Sequence, residues 1–445
     1  MSRRRLVVAI AAALAVAVTG CSNPAPPAAT EQDDPNGVLE IWIRQAPGSD
    51  SEKTAQRLAA AFTSASGIKT HLVAIFDDFE IKVQQQAAQK QLPDIVINDT
   101  AQLGNMQQQG WLREVDRSKF PSGDKLADRA WKAAQAGNGK YYAAPFSAQS
   151  FALIIRSDWR KKVNLPLPET WDDMVKLARA FTDQDPDGNG KKDTAGFMVP
   201  GTTKRGYASW YASSLIWANG GDFLKPAGEG KFKSAVTDPK TVEAVEFVKT
   251  QFCTTKTVNP GAVNNDTTIT NNAFEKGAGG IYLVGPYVLA RFAQNIGTDK
   301  LEVAAVPNGP SGGPGTLGEG ENVYMTAGSD MPNAQRKFAE FATSPAGQKV
   351  GMNGDNPGAI VRLPVNKDVD LGAERKDQRW KVYADAYDKA AVYTPAVPNW
   401  APFRQISADS FNTLWADCGS NVKAGMEALN TKFNDELKKQ DALAS

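Results

Sequence analysis

Between Asp183 and Asp193 the chain reads Asp-x-Asp-x-Asp-Gly-Asn-Gly-x-x-Asp, with oxygen-bearing side chains at alternate positions and Gly188 at the sixth. A bend of that kind turns alternate side chains toward one point, which is how short loops present oxygen ligands to calcium. Asp183, Asp185, Asp187, Asn189 and Asp193 are therefore the expected ligands of a structural Ca2+. The twelfth position is Thr194 rather than a bidentate glutamate, and Asp193 falls one place early. The pattern is thus closer to the short calcium loops of some extracellular proteins than to a helix-flanked sensor site. A solvated turn rich in Asp, Asn and Gly is the competing reading. Catalytic chemistry has little to work with. His71 is the only histidine, which argues against a Ser-His-Asp or Cys-His nucleophile and against a histidine-based zinc centre. No P-loop and no signal for an organic cofactor is present. Two carboxylates suffice for glycoside hydrolysis, so a lipid-anchored hydrolase stays open, although no pair stands out. The expectation is a protein that is not an enzyme.

A third chemistry lies at the start of the chain. Arg3, Arg4 and Arg5 precede an apolar run from Leu6 to Val18, and small residues then lead to Cys21. This is the layout of a secretory signal, too short in its apolar part to span a bilayer permanently. Val18-Thr-Gly-Cys21 resembles the lipobox at which bacterial lipoproteins are lipidated on the cysteine. Residues 1–20 are read as the signal peptide and residues 21–37, rich in proline and small residues, as a disordered leash. The body of the protein would then sit outside the cytoplasmic membrane, held to it by lipid on Cys21. Cys253 and Cys418 remain, an even number in an oxidising compartment, and a disulfide between them is expected. The formal charge of +1 falls to −2 once the three arginines of the signal are removed, so no nucleic-acid partner is expected.

The elements that must position these groups alternate. Val38-Leu-Glu-Ile-Trp-Ile43, Thr70-His-Leu-Val-Ala-Ile75 and Pro93-Asp-Ile-Val-Ile97 read as strands, separated by amphipathic helices; one carries Ala55, Leu58, Ala59 and Phe62 inward. That alternation predicts a parallel sheet covered on both faces. The pattern resets at the strand Phe151-Ala-Leu-Ile-Ile155 and the helix that opens at Thr170. About 400 residues follow the leash, too many for one core, so two α/β lobes are expected. Residues 308–320 read as a Gly/Pro-rich loop, and the C-terminal stretch as mostly helical.

Several segments, in order, resemble the family-1 extracellular solute-binding proteins, the carbohydrate-binding lipoproteins of ABC importers. They are Pro93-Asp-Ile-Val-Ile with Gly110-Trp-Leu-Arg-Glu-Val-Asp116, Gly139-Lys-Tyr-Tyr-Ala-Ala-Pro145 with Leu153-Ile-Ile-Arg, Thr170-Trp-Asp-Asp-Met, Asn219-Gly-Gly221, Phe274-Glu-Lys-Gly277, Gly285-Pro-Tyr287 and Arg362-Leu-Pro-Val365. The resemblance implies an α/β periplasmic-binding-protein fold of two lobes, with a hinge and a ligand cleft between them. Residues 38–148 and 317–364 would form the first lobe, and residues 149–316 and 365–445 the second together with C-terminal helices. A mono- or oligosaccharide would be captured in the cleft by a monomer and delivered to a membrane permease.

Sugars need aromatic platforms ringed by carboxylates and amides. The resemblance places Trp210, Tyr211 and Tyr287 as stacking aromatics and Gln149 where a carboxylate is frequent. Asn98 and Asp99 follow a strand end, where α/β clefts bind ligand, and Trp42 lies at the same rim. Glu321 and Asn322 follow the glycines Gly318 and Gly320. Arg362 and Trp400 are the late contributors. Core packing is the competing reading for each aromatic, and it is preferred for Trp42 and for Trp111, Trp131, Trp159 and Trp171. Arg362, Arg291 and Lys204 keep a glycerophosphodiester or a charged sugar open as the alternative solute. A scaffold or adhesin would show repeats, and none is present.

Overall fold

The computed structural model describes residues 32–352 and 362–445. Cys21 and the signal lie outside the described residues. The expected strands and helices at the start of the chain are present. Leu39–Ile43, Thr70–Ala74 and Ile95–Asp99 are strands, and the helix Asp50–Ser66 buries Ala55, Leu58, Ala59 and Phe62. Ser49 caps that helix by accepting the Glu52 N–H at 3.2 Å. The helix Trp171–Asp183 opens on a full capping box, in which Thr170 and Asp173 satisfy each other's backbone donors.

Two main sheets result. The first runs in the order Leu363–Pro364, Ala144–Ser150, Thr316–Met325, Ile95–Asp99, Leu39–Ile43, Thr70–Ala74, with Ala391–Val392 paired to the start of Thr316–Met325. The second runs Leu301–Ala304, Ala152–Arg156, Gly279–Val284, Ala195–Met198. The expected parallel sheet is found only in part. Thr70–Ala74, Leu39–Ile43 and Ile95–Asp99 are mutually parallel, but Thr316–Met325 and Ala144–Ser150 join antiparallel. Those two strands run directly to and from the other lobe, so no crossover helix forces them parallel.

The boundaries also shift. The first sheet keeps Gln149 and Ser150, which were placed in the second lobe, and the crossing falls at Phe151. There the Phe151 N–H donates to Leu317 O at 3.2 Å, and Thr316 Oγ1 donates to Phe151 O at 3.0 Å. The end of the expected loop 308–320 is strand from Thr316 onward. A Cβ on Gly320 would run into the Ser147 carbonyl, so the two strands approach that closely because the residue is glycine. Residues 365–390, placed in the second lobe, do not pack on that lobe alone. The helix Arg379–Ala390 lies against strands of both sheets, and Ser150 Oγ donates to Tyr383 O at 2.7 Å. The helices Ala401–Ala416 and Val422–Lys439 do pack in the second lobe.

Two further expectations concern the covalent and terminal ties. Cys253 and Cys418 form a disulfide across a separation of 165 residues, worth about 5 kcal/mol in the chain-entropy view of so long a loop. The leash is shorter than expected. Asp33 Oδ1 accepts the Asn333 N–H at 2.7 Å in the first turn of the helix Pro332–Thr343, and the Asp34 N–H donates to Asp330 O at 3.1 Å. Residues 33 and 34 therefore dock on the first lobe, because their carboxylates and amides meet the unpaired groups of a helix start. No helix among the described residues is long and apolar enough to cross a membrane.

Candidate functional site

A cavity of about 300 Å³ lies between the lobes. The first lobe lines it with Arg44, Phe76, Glu80, Asp99, Gln149, Glu319 and Arg362, and the second with Arg205, Tyr207, Trp210, Thr267, Tyr287, Trp400 and Arg404. A second cavity of about 260 Å³ shares Ala101 and Trp400 with it. The strand ends set the first wall. Arg44 follows Leu39–Ile43 and Asp99 closes Ile95–Asp99, so adjacent parallel strands deliver both to one rim. Arg44 Nη2 donates to both Asp99 oxygens at 2.7 Å, and its Nε donates to Asn98 Oδ1 at 3.0 Å. Burial works to raise the Asp99 carboxyl, but Arg44, Arg362 and Arg404 outweigh it and hold it below the usual carboxylate range.

The second wall comes from the helix Tyr207–Ala218, buried along nearly all its length. Tyr207 and Trp210 are three residues apart and so share the face toward the cleft. Trp210 packs edge-on to Phe151 with ring centroids 4.4 Å apart. Its Nε1–H donates across the cleft to Glu319 Oε2 at 3.0 Å, and Gln149 Nε2 donates to the same oxygen at 2.9 Å. Burial pushes the Glu319 carboxyl above its ordinary range and the nearby Asp99 pushes it further. Arg205, just before the helix, has a left-handed backbone with φ 54°. Its guanidinium reaches the other lobe, 3.5 Å from Glu80 and 3.4 Å from the Phe76 carbonyl. The Phe76 ring thus faces Arg44 at 5.8 Å and Arg205 at 5.5 Å, one cation from each lobe.

Such a cleft can do one thing well. It surrounds a polar molecule with aromatic walls and charged hydrogen-bonding groups from two bodies at once, so the molecule ties the bodies together. Residues 46–349, well over half of the chain, match the family model described as bacterial extracellular solute-binding protein. The chain belongs to that family.

Members of the solute-binding family are binding proteins, and the similarity extends to the fold. The GacH receptor of Streptomyces glaucescens GLA.O superposes with a TM-score of 0.77 at 20% identity, over 92% of this chain and 99% of that one. Among relatives by sequence, Lipoprotein LipO of Bacillus subtilis (strain 168) is 36% identical over 121 residues, 27% of this chain and 23% of that protein. The chain therefore spans under a quarter of that relative's length. A maltooligosaccharide ABC transporter solute-binding lipoprotein of Streptococcus pneumoniae (strain ATCC BAA-255 / R6) is 23% identical over 86% of this chain and 84% of its own length.

Of the residues singled out from sequence, Asp99, Gln149, Trp210, Tyr287, Arg362 and Trp400 line the cavity. The other five do not. Trp42 does not reach the cavity: its Nε1–H donates to Glu40 Oε1 at 2.7 Å, two residues back on the same face of the strand. Asn98 is buried behind Arg44. Tyr211 follows Trp210 by one residue, about a quarter turn round the helix, and packs in the second-lobe core. Glu321 is buried beneath the wall, where it accepts Arg362 Nη1 at 2.8 Å. Asn322, beyond a bulge in the strand, donates to Ala133 O at 3.0 Å. Arg291 pairs with Glu275, and Lys204 lies 3.8 Å from Asp266; neither lines the cavity.

The sequence reading missed Arg44, Phe76, Glu80, Arg205, Tyr207, Glu319 and Arg404. Two had usable signals. Glu319 sits between the two glycines already noted, and Tyr207 lies one helical turn before Trp210.

The Asp-rich loop lies away from the cleft. Asp185 Oδ1 accepts the Gly188 and Asn189 N–H groups and its Oδ2 the Gly190 N–H, all at 3.0 to 3.1 Å. Asn189 Nδ2 donates to Asp187 and Asp193 at 2.9 and 3.1 Å. Among the described residues, no group of three or more His, Cys, Asp or Glu side chains is gathered as metal ligands would be.

Proposed function

We propose that the protein is a lipid-anchored, extracytoplasmic substrate-binding protein of an ABC importer, which captures a mono- or oligosaccharide between its lobes and hands it to a membrane permease. The cavity walled by both lobes carries this reading. A ligand held by Asp99 and Gln149 on one side and by Trp210 and Tyr287 on the other stabilises only the closed arrangement, and closure is the signal a permease can read. The second cavity, on which Trp400 also borders, would give room for a chain of sugars over a single ring. Lipid on Cys21 would keep the protein near its permease and raise the effective concentration for docking. The names of the two lipoprotein relatives support that anchor. A thermal-shift screen of sugars, polyols and phosphodiesters against the full-length protein is the direct test. Stabilisation by a carbohydrate is expected, and stabilisation by none would end the reading.

A glycoside hydrolase is the second reading, because the cavity wall holds one carboxyl raised, Glu319, and one lowered, Asp99. Against it, both Asp99 oxygens are bound to Arg44 and are not free to attack a sugar. An oligosaccharide incubated with the protein should be recovered intact.

Calcium at the loop of Asp183, Asp185, Asp187, Asn189 and Asp193 is proposed as a structural site. Burial first, then the neighbouring Asp185 and Asp193 carboxylates, push Asp187 above its usual range, a repulsion that a cation would relieve. Millimolar CaCl2 is then expected to raise the Tm of the wild type and to leave Asp187→Asn unmoved. An unchanged wild-type Tm in calcium and in chelator would remove the site.

A further inference from the structure

Four guanidinium groups line the cavity, and three of them are already paired. Arg44 is held by Asp99 at 2.7 Å, Arg362 by Glu321 at 2.8 Å and Arg205 by Glu80 at 3.5 Å. Arg404, in the first turn of the helix Ala401–Ala416, is different. Among the described residues its guanidinium has neither an ion pair nor a hydrogen bond, and its Nε is buried without a partner. Five N–H donors on a permanently charged, half-buried group therefore meet no hydrogen-bond acceptor, although Asp99 and Glu319 lie near enough to feel its charge. The remaining wall carboxylate, Glu319, spends one oxygen on Trp210 and Gln149. Arg362 keeps its Nε unpartnered as well, and the Gln149 Oε1 acceptor is buried without a donor.

Unmade bonds of this kind are costly in a closed cleft, more so for charged groups than for neutral ones. They describe by complement what must enter. Gln149 needs a hydroxyl-type donor, and the guanidiniums need acceptors. A planar guanidinium fork binds carboxylate or phosphate oxygens far better than it binds a neutral hydroxyl. We propose that the solute is an acidic saccharide, with hydroxyls serving Gln149 and with a carboxylate or phosphate group taken by Arg404. This inference rests on the carbohydrate-binding reading and narrows its substrate class.

The test is calorimetric titration of the full-length protein with three probes: maltotriose, which is neutral, trigalacturonate, which carries carboxylates, and glucose 1-phosphate. At least one acidic probe is expected to bind ten-fold or more tightly than maltotriose, and the better of the two identifies the anion. Its affinity should fall as NaCl is raised, whereas a neutral sugar's should not. Arg404→Gln is expected to lose the ten-fold preference together with the salt dependence, and Arg404→Lys to recover part of both; the unliganded Tm of each variant shows that it is folded. Because the salt response is read on the wild type, a misfolded variant does not blunt the test. Maltotriose binding as well as or better than both acids overturns the inference and leaves carbohydrate capture standing. Failure of all three probes to bind overturns both.

Discussion

Asp99→Ala is expected to destabilise the protein by about 3–5 kcal/mol, because removing one member of a buried ion pair strands the other. The Arg44 and Asp99 side chains are 13% and 16% exposed, and Arg44 has nowhere to turn. Its Nε is already committed to Asn98, and Glu80 is 4.0 Å away and shared with Arg205. The charge would stay in place with two of its three hydrogen bonds broken. A double variant that replaces the pair by apolar residues, Arg44→Met with Asp99→Leu, should recover most of the loss, since a buried pair exchanged whole is often neutral. Thermal unfolding of the wild type, the single and the double variant checks this. A single variant within about 1 kcal/mol of wild type would show that solvent reaches Arg44 freely.

The same pair predicts a pH dependence. The folded carboxyl of Asp99 is held below its ordinary value of 3.8. A lowered pKa contributes stability that is present above the unfolded value and is lost as pH falls through the folded one. The Arg44–Asp99 contribution should therefore be intact at neutral pH and disappear only below about pH 4. Glu319 works in the opposite sense. With its pKa raised by burial, the support it gives is complete under acid conditions and is lost as pH rises through the folded value.

How far these residues were legible depended on how local their signals are. The strands Leu39–Ile43 and Ile95–Asp99 and the cap at Thr170 are written in a few neighbouring residues, and the strand-end rule then found Asp99. At the first strand the same reading chose Trp42, inside the strand, and so passed over Arg44, the first residue beyond it. The strand Ala144–Ser150 is buried at every position, so it shows no alternation, and the lobe boundary was placed at residue 148, two residues short of its end. Arg404 could not be found locally at all. Its helix turns Phe403, Ser407, Ala408 and Phe411 into the second-lobe core, and nothing in that pattern says which of the remaining faces meets another lobe. The same limit explains Asp33 and Asp34. A proline-rich acidic stretch reads as leash until a helix start some 300 residues away supplies its partners.

Trp210→Ala is expected to weaken carbohydrate binding by about 2 kcal/mol or more, roughly thirty-fold in Kd. Trp210 is one residue through which the two lobes already touch, since its indole N–H donates to Glu319 of the opposite wall. Truncation to alanine would remove both the flat apolar surface a sugar ring packs on and one of the two donors that hold Glu319. Trp210→Phe separates these effects, because it keeps an aromatic face against Phe151 and Tyr207 and removes only the hydrogen bond. If the platform dominates, the phenylalanine variant should retain most of the affinity and the alanine variant little. If the tie to Glu319 dominates, the two should be equally weak. Their Tm values without ligand must also be compared, since a large-to-small change at a residue only 9% exposed is itself expected to lower stability by about 3–5 kcal/mol. An alanine variant that binds sugar with unchanged Kd would take Trp210 out of the site and return it to the core.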